Sequence, residues 1–207
     1  MADDDDVLVL ASGSPRRAKI LEDAGVRFRI VKTDAPETVR PDDPEGTVVA
    51  NARAKLEAAI DALREGRASS RPPRMGQRTT PILAADTIVW FNGRIYGKPR
   101  DLAEAARFLR ELSGNTHVVF TGIAYAAPDG AILTAVSRSD VTFRHLDDDA
   151  IASYIKRVNP IDRAGAYDID ESGDLIVESF TGSYENIMGL PLEPLATFGI
   201  ALKNRTA

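Results

Sequence analysis

Two adjacent arginines, Arg16 and Arg17, open a helix-forming stretch directly after Ser12-Gly13-Ser14-Pro15. Ser14 predicts an N-cap, Pro15 suits the first helical position, and Gly25 suits the stop. Cations in a first turn oppose the helix dipole at a cost of a few tenths of a kcal/mol, up to about 1. An anion held on the free N–H groups of that turn would reverse the cost, and two guanidinium forks could grip it. The stretch reads either as a phosphate site or as two solvated arginines on a surface helix. It carries neither G-x-x-x-x-G-K-[ST] nor G-x-G-x-x-G.

Asp86 is the second anomaly. It sits inside the apolar run "ILAADTIVW", where a carboxylate is costly unless it is paired or binds a cation. A strand-end acid bonded to backbone amides is one reading. A metal ligand or general base fits better, because Thr87 and Lys98 could add polar groups to the same cleft. Lys98 precedes a proline, so its backbone is extended. Glu37 ends a loop after a strand and Lys55 lies on an amphipathic helix; each alone reads as solvated. Together, Arg16, Arg17, Lys55 and Lys98 could hold a polyphosphate, while Glu37 and Asp86 could hold Mg²⁺, which takes oxygen ligands and substrate phosphates. That set suits metal-assisted phosphoryl or nucleotidyl transfer.

The elements that must position these residues follow from periodicity. A strand at Val7–Leu10 leads into a helix from Pro15 to about Ala24, and "FRIVKT" forms a second strand. A long helix spans Pro44 to Arg64, with Val48, Val49, Ala52, Leu56, Ala59, Ile60 and Leu63 at helical spacing. Residues 66–80 fall in a polar, basic, Pro- and Ser-rich segment that reads as a mobile surface loop. "PILAADTIVWF" reads as buried strand, "NGRIYGKP" turns back, and "DLAEAARFLRELSG" is a helix. A hairpin turns at "PDG", and "DDDAIASYIKRV" is a helix with acids in its first turn. "DLIVESF", a Gly-rich loop and a last helix near Pro191–Lys203 complete the chain. Mixed hairpins and crossovers predict an α/β fold with helices on both faces of a mixed sheet.

Composition narrows the function classes. The chain has 207 residues, net charge −5 and no cysteine. Disulfides, thiolate catalysis and zinc–thiolate sites are therefore excluded, and the overall charge gives no support to nucleic-acid binding. The two histidines, His117 and His145, stand apart, which disfavours histidine-based metal or triad chemistry. No apolar run reaches a membrane span, and "MADDDD" is acidic where a signal peptide would be basic. A cytoplasmic protein without membrane contact is expected.

The motifs "LASGSPRR", "AADTIV", "GKPRD", "LSGNTHVVFTG", "DVTFR", "AGAYDID" and "GSYENIMGLPL", in that order, resemble the Maf family of nucleoside triphosphate pyrophosphatases over nearly the whole chain. The resemblance implies an elongated Maf/Ham-type, ITPase-like α/β architecture: one domain, 1–207, with two lobes around a cleft. It implies hydrolysis between the α- and β-phosphates, a divalent metal (Mg²⁺ or Mn²⁺), a nucleotide substrate and a homodimer. By motif, Asp86 matches the catalytic, metal-binding acid and Glu37 the second metal acid. Ser14, Arg16, Arg17, Lys55 and Lys98 match phosphate- or substrate-facing positions; Arg16, Thr87 and Asp170 match positions tied to substrate choice. The thymidine/uridine branch reads "AGAYGIQ" where this chain has Asp168 and Asp170. A carboxylate only accepts hydrogen bonds and would suit a cationic base such as 7-methylguanine, as in the 7-methyl-GTP branch, yet "AADTIV" and "GAY" resemble the dTTP/UTP branch. The competing class is a non-enzymatic nucleotide- or nucleic-acid-binding regulator of septum formation, favoured only by the basic stretch Arg64–Arg78.

Overall fold

The computed structural model describes residues 7–66 and 79–203. In chain order the elements are β1 (Leu8–Leu10), α1 (Pro15–Asp23), β2 (Phe28–Ile30), α2 (Pro44–Gly66), β3 (Ile82–Phe91), β4 (Arg94–Tyr96), α3 (Leu102–Leu112), β5 (Thr116–Ala126), β6 (Ile132–Phe143), α4 (Asp148–Arg157), β7 (Val177–Thr181), α5 (Tyr184–Met188) and α6 (Leu192–Thr197). The strands form one seven-stranded sheet in the order β2-β1-β3-β5-β6-β7, with β4 paired to β3. β1 is parallel to both β2 and β3, and the other pairings are antiparallel. This is the mixed α/β sheet that the periodicity predicts.

Strand alternation sets the architecture around the candidate site. Successive strand residues point to opposite faces, and here both faces are apolar. Leu8, Leu10, Leu83 and Ala85 pack against Ala18, Leu21, Leu190 and Leu195 of α1 and the α5–α6 segment. Val9, Ala11, Ile82 and Ala84 pack against Ala52, Leu56 and Ala59 of α2. Continuing along β3, Asp86 shares the α2 face with Ala84 and Ile88, which packs on Val48. Thr87 shares the α1 face. Adjacent residues of one strand therefore serve opposite sides of the sheet. A further core, around Phe108, Leu112, Phe143 and Tyr154, joins α3 and α4 to the sheet.

Two backbone details hold this geometry. Asn92 and Gly93 both have positive φ (49° and 74°) and form the two-residue turn of the β3–β4 hairpin, as an Asn-Gly pair favours. Gly122, paired with Asp86 across β3 and β5, lies under α2. A Cβ there would fall 2.5 Å from the backbone of Val48, so the missing side chain lets α2 approach the sheet.

The structure departs from the sequence expectations at several ends. The second strand is only three residues long. The last helix stops at Thr197 instead of Lys203, because Gly199 turns back at φ 81°. The predicted Gly-rich loop contains α5, capped by the Ser183 hydroxyl, which accepts from Asn186 N at 3.1 Å. Leu175 and its two predecessors form a 3-10 turn ahead of β7. Of the basic segment 66–80, residues 67–78 lie outside the described residues. No helix among the described residues is long and apolar enough to cross a membrane.

Candidate active site

A cleft of about 550 Å³ opens between the β1–α1 turn, the 33–39 segment, α2, β3 and the segments after β4, α4 and α5. Ser14, Arg16, Arg17, Glu37, Lys55, Asp86, Thr87 and Lys98 all line it. Residues from five separate stretches of chain thus meet in one place.

On the α2 side, Asp86 is buried at 5% exposure but is not alone. Its Oδ1 accepts from Lys55 Nζ at 2.6 Å and its Oδ2 from Asn51 Nδ2 at 2.9 Å. The Lys55 ammonium also donates to Glu37 Oε1 at 2.7 Å. One cation thus bridges the two candidate metal acids. The buried carboxylate, costly in isolation, is offset by a close ion pair and an amide donor.

On the α1 side, the two arginines divide their work. Ser14 occupies the N-cap position, but its hydroxyl makes no capping bond, and no acidic residue lies in the first turn. Arg17 turns inward: Nε donates to Gly189 O at 2.8 Å, and the terminal nitrogens donate to Ser12 Oγ at 3.1 Å and Thr87 Oγ1 at 3.0 Å. Arg16 lies along the cleft wall, 3.5 Å from Asp168 Oδ2, and donates to Asp162 O at 3.4 Å. Burial pulls both guanidiniums below their ordinary pKa, opposed by Asp168 for Arg16 and by Asp86 for Arg17. Thr87 is held by Arg17 and by Thr121 Oγ1 at 3.0 Å. Lys98 stands at the exposed rim, 3.5 Å from Asp162.

Asp170 is placed differently from the other candidates. It is exposed, it is absent from the cleft lining, and its Oδ1 accepts from Tyr184 Oη at 3.1 Å. Asp168 lines the cleft instead. Its Oδ2 lies 3.3 Å from Arg163 as well as near Arg16, and its Oδ1 accepts from the backbone N–H of Asp170 at 2.9 Å. Of the histidines, His117 is buried in the core. It bonds Tyr167 Oη through Nε2 at 3.0 Å and packs edge-on against Phe143. Burial pushes its pKa down to about 3.

Asn51 and Arg163 were not singled out from the sequence. The signal for Asn51 was present: Thr47, Asn51 and Lys55 recur every four residues, a polar stripe beside the apolar positions Val48, Ala52 and Leu56. Arg163 carried no comparable signal, because its partners Asp168 and Glu171 define it only in space.

The residues present fit a divalent cation. Glu37 and Asp86 already converge on one positive charge, and both offer hard oxygen donors. Among the described residues no group of three or more His, Cys, Asp or Glu could hold a metal, so substrate phosphates and water would have to complete the shell.

The Maf family, described as Maf-like protein, matches residues 7–199. A dTTP/UTP pyrophosphatase of Moorella thermoacetica is 41% identical over 208 residues, covering 96% of this chain and 98% of that protein. The dTTP/UTP pyrophosphatase of Escherichia coli (strain K12) is 41% identical over 186 residues, covering 89% and 87%. Among solved structures, the Staphylococcus aureus Ham1 protein overlaps 66% of this chain and 71% of its own at a TM-score of 0.43 and 16% identity. The family match extends from before β1 to beyond α6 and includes every cleft-lining residue; the chain belongs to the Maf family.

Proposed function

We propose that this chain is a nucleoside triphosphate pyrophosphatase that hydrolyses dTTP and UTP to the nucleoside monophosphate and pyrophosphate. The observation that carries this reading is the bridged pair Glu37–Lys55–Asp86, set in the same cleft as the N-terminus of α1 and its arginines. The relatives' names point to the same activity.

In this reading, the triphosphate lies between the α1 N-terminus and the acidic pair. The N–H groups of the first turn and Arg17 favour anionic oxygens there, and Lys55 and Lys98 supply further positive charge. Asp86 accepts a proton from the attacking water as its oxygen bonds to the α-phosphorus. The bond from that phosphorus to the α,β-bridging oxygen breaks, and pyrophosphate leaves with the bond's electron pair. Glu37 and Asp86 would hold the divalent cation, Mg²⁺ or Mn²⁺, which when bound neutralises phosphate charge and polarises the reacting oxygens. A homodimer and a cytoplasmic setting belong to the same proposal.

The 7-methyl-GTP reading gains no comparable support. It needs an acid free to face a cationic base, yet Asp168 is engaged by two arginines and Asp170 by Tyr184. The decisive experiment is a panel of nucleoside triphosphates with Mg²⁺ or Mn²⁺, measuring monophosphate and pyrophosphate together. Equimolar release of both from dTTP and UTP supports the reading. Release of orthophosphate, or no turnover on any nucleotide, overturns it.

A further inference from the structure

We propose that Asn51 is a positioning residue that sets the spacing of the two acids, Glu37 and Asp86; its catalytic consequence rests on the pyrophosphatase reading above. Asn51 is buried at 3% exposure, and its amide is used to full capacity. Nδ2 donates to Asp86 Oδ2 at 2.9 Å and to Thr38 O at 3.1 Å. Oδ1 accepts from Thr38 N at 2.8 Å and Thr38 Oγ1 at 3.2 Å. Two donors and two acceptors exhaust what an asparagine side chain offers. The orientation is also forced, because turning the amide over would set its oxygen against the Asp86 carboxylate.

Asn51 belongs to a larger device. Thr47, Asn51 and Lys55 lie one helical turn apart on α2 and meet the loop before it in reverse order. Thr47 Oγ1 accepts from Arg40 N at 3.0 Å, Asn51 holds both backbone groups of Thr38, and Lys55 binds the side chain of Glu37. The stripe laces segment 37–40 antiparallel along the helix. Among the described residues Lys55 is the partner that anchors the Glu37 side chain, which is 57% exposed. Its place opposite Asp86 therefore depends on the lacing one residue away. Asn51 and Lys55 each engage one oxygen of Asp86, Oδ2 and Oδ1, and together they fix the plane of its carboxylate.

Two substitutions separate the parts. Asn51→Leu keeps the branched shape of the side chain and removes every polar contact. Asn51→Asp keeps acceptors for Thr38 N and Oγ1 but sets a carboxylate against Asp86. The readouts are amide hydrogen exchange at Thr38, measured without nucleotide, and kcat and KM for dTTP with Mn²⁺. In Asn51→Leu, exchange at Thr38 should accelerate on the order of tenfold, since it opens locally. Its kcat should fall on the order of tenfold, as for one lost bond to a charged group, with KM within about threefold. In Asn51→Asp, Thr38 should stay protected while kcat falls at least as far. A folded Leu variant with Thr38 protected and kcat unchanged overturns the proposal, as does a rise in KM alone. If the Leu variant does not fold, wild-type kcat in Asn51→Asp overturns it. If the wild-type chain turns over no nucleotide, the activity reading fails, and the exchange data alone still decide whether Asn51 holds the loop.

Discussion

Replacing Asp86 by asparagine keeps the side chain's shape and removes its charge. The carboxylate accepts from two donors, Lys55 Nζ at 2.6 Å and Asn51 Nδ2 at 2.9 Å. An amide presents one oxygen and one nitrogen. Whichever way it turns, one partner meets an N–H group where it had an acceptor. At least one charge-assisted bond is lost, worth about 1.5–3 kcal/mol. Lys55 retains Glu37, which keeps the loss near that range instead of the larger cost of an unpaired buried charge. For a chain of this size each kcal/mol lowers Tm by about 2–4 °C, so a fall of roughly 3–12 °C is expected. An acid buried without partners would give the opposite sign, because removing it would relieve strain. Turnover should suffer more than the fold: kcat is expected to drop by at least ~10², the lower range for losing general-base help. Calorimetry gives the first number, and pyrophosphate release at saturating nucleotide and Mg²⁺ gives the second. A folded variant with near wild-type turnover would remove Asp86 from the chemistry, and a raised Tm would refute the ion-pair accounting.

The arginines should separate by assay. Arg16→Ala is expected to lower kcat/KM on the order of tenfold to a hundredfold with the fold intact; initial rates unchanged from wild type would leave Arg16 as a wall residue serving only Asp168 and Asp162. Arg17→Ala removes three bonds to Gly189, Ser12 and Thr87 and should cost stability, about 2–4 kcal/mol, read from urea midpoints. His117 supplies an acid-sensitive element. Its folded pKa, about 3, lies below the reference 6.5, so the unfolded chain binds the proton first. The stability is fully present above pH 6.5 and is lost as pH falls toward 3, at roughly 1.4 kcal/mol per unit. In Asn or Gln variants at 117 that part of the acid limb should flatten; a Tm–pH curve parallel to wild type would show that another group governs it.

Much of the fold was legible because both sheet faces are apolar and the helices are amphipathic. The same alternation along β3 sets Asp86 and Thr87 on opposite faces of the sheet. What the sequence hid is pairing at a distance. Lys55 and Glu37, each unremarkable on its own element, become a bridged pair only once α2 lies over β3, and that approach depends on Gly122. Asp168 and Asp170 look equivalent as departures in one motif. The turn between them points one into the cleft and the other toward Tyr184. Ends of elements were also hard to read where capping or a positive φ decides, as at Gly199.

The opening pair Arg16-Arg17 shows why residue type alone underdetermines a site. Adjacent residues on a helix point about 100° apart, and here the two guanidiniums, though both line the cleft, take different partners. Arg16 reaches a carboxylate, and much of its charge is met within the protein. Arg17 donates to three neutral oxygens; nothing in those bonds cancels its charge. It lies at the N-terminus of α1, where the helix dipole adds to the positive potential. Across the cleft, Glu37 and Asp86 against Lys55 sum to one negative charge. The cleft is therefore polarised, positive at α1 and negative at α2, and the more deeply held arginine, Arg17, feels Asp86 only across the cleft and has no carboxylate among its hydrogen-bond partners. A triphosphate can lie against the α1 side directly, but on the α2 side it needs additional positive charge to approach the acids. That asymmetry is the physical reason to expect divalent-metal dependence in this cleft, even though Lys55 already stands between the acids.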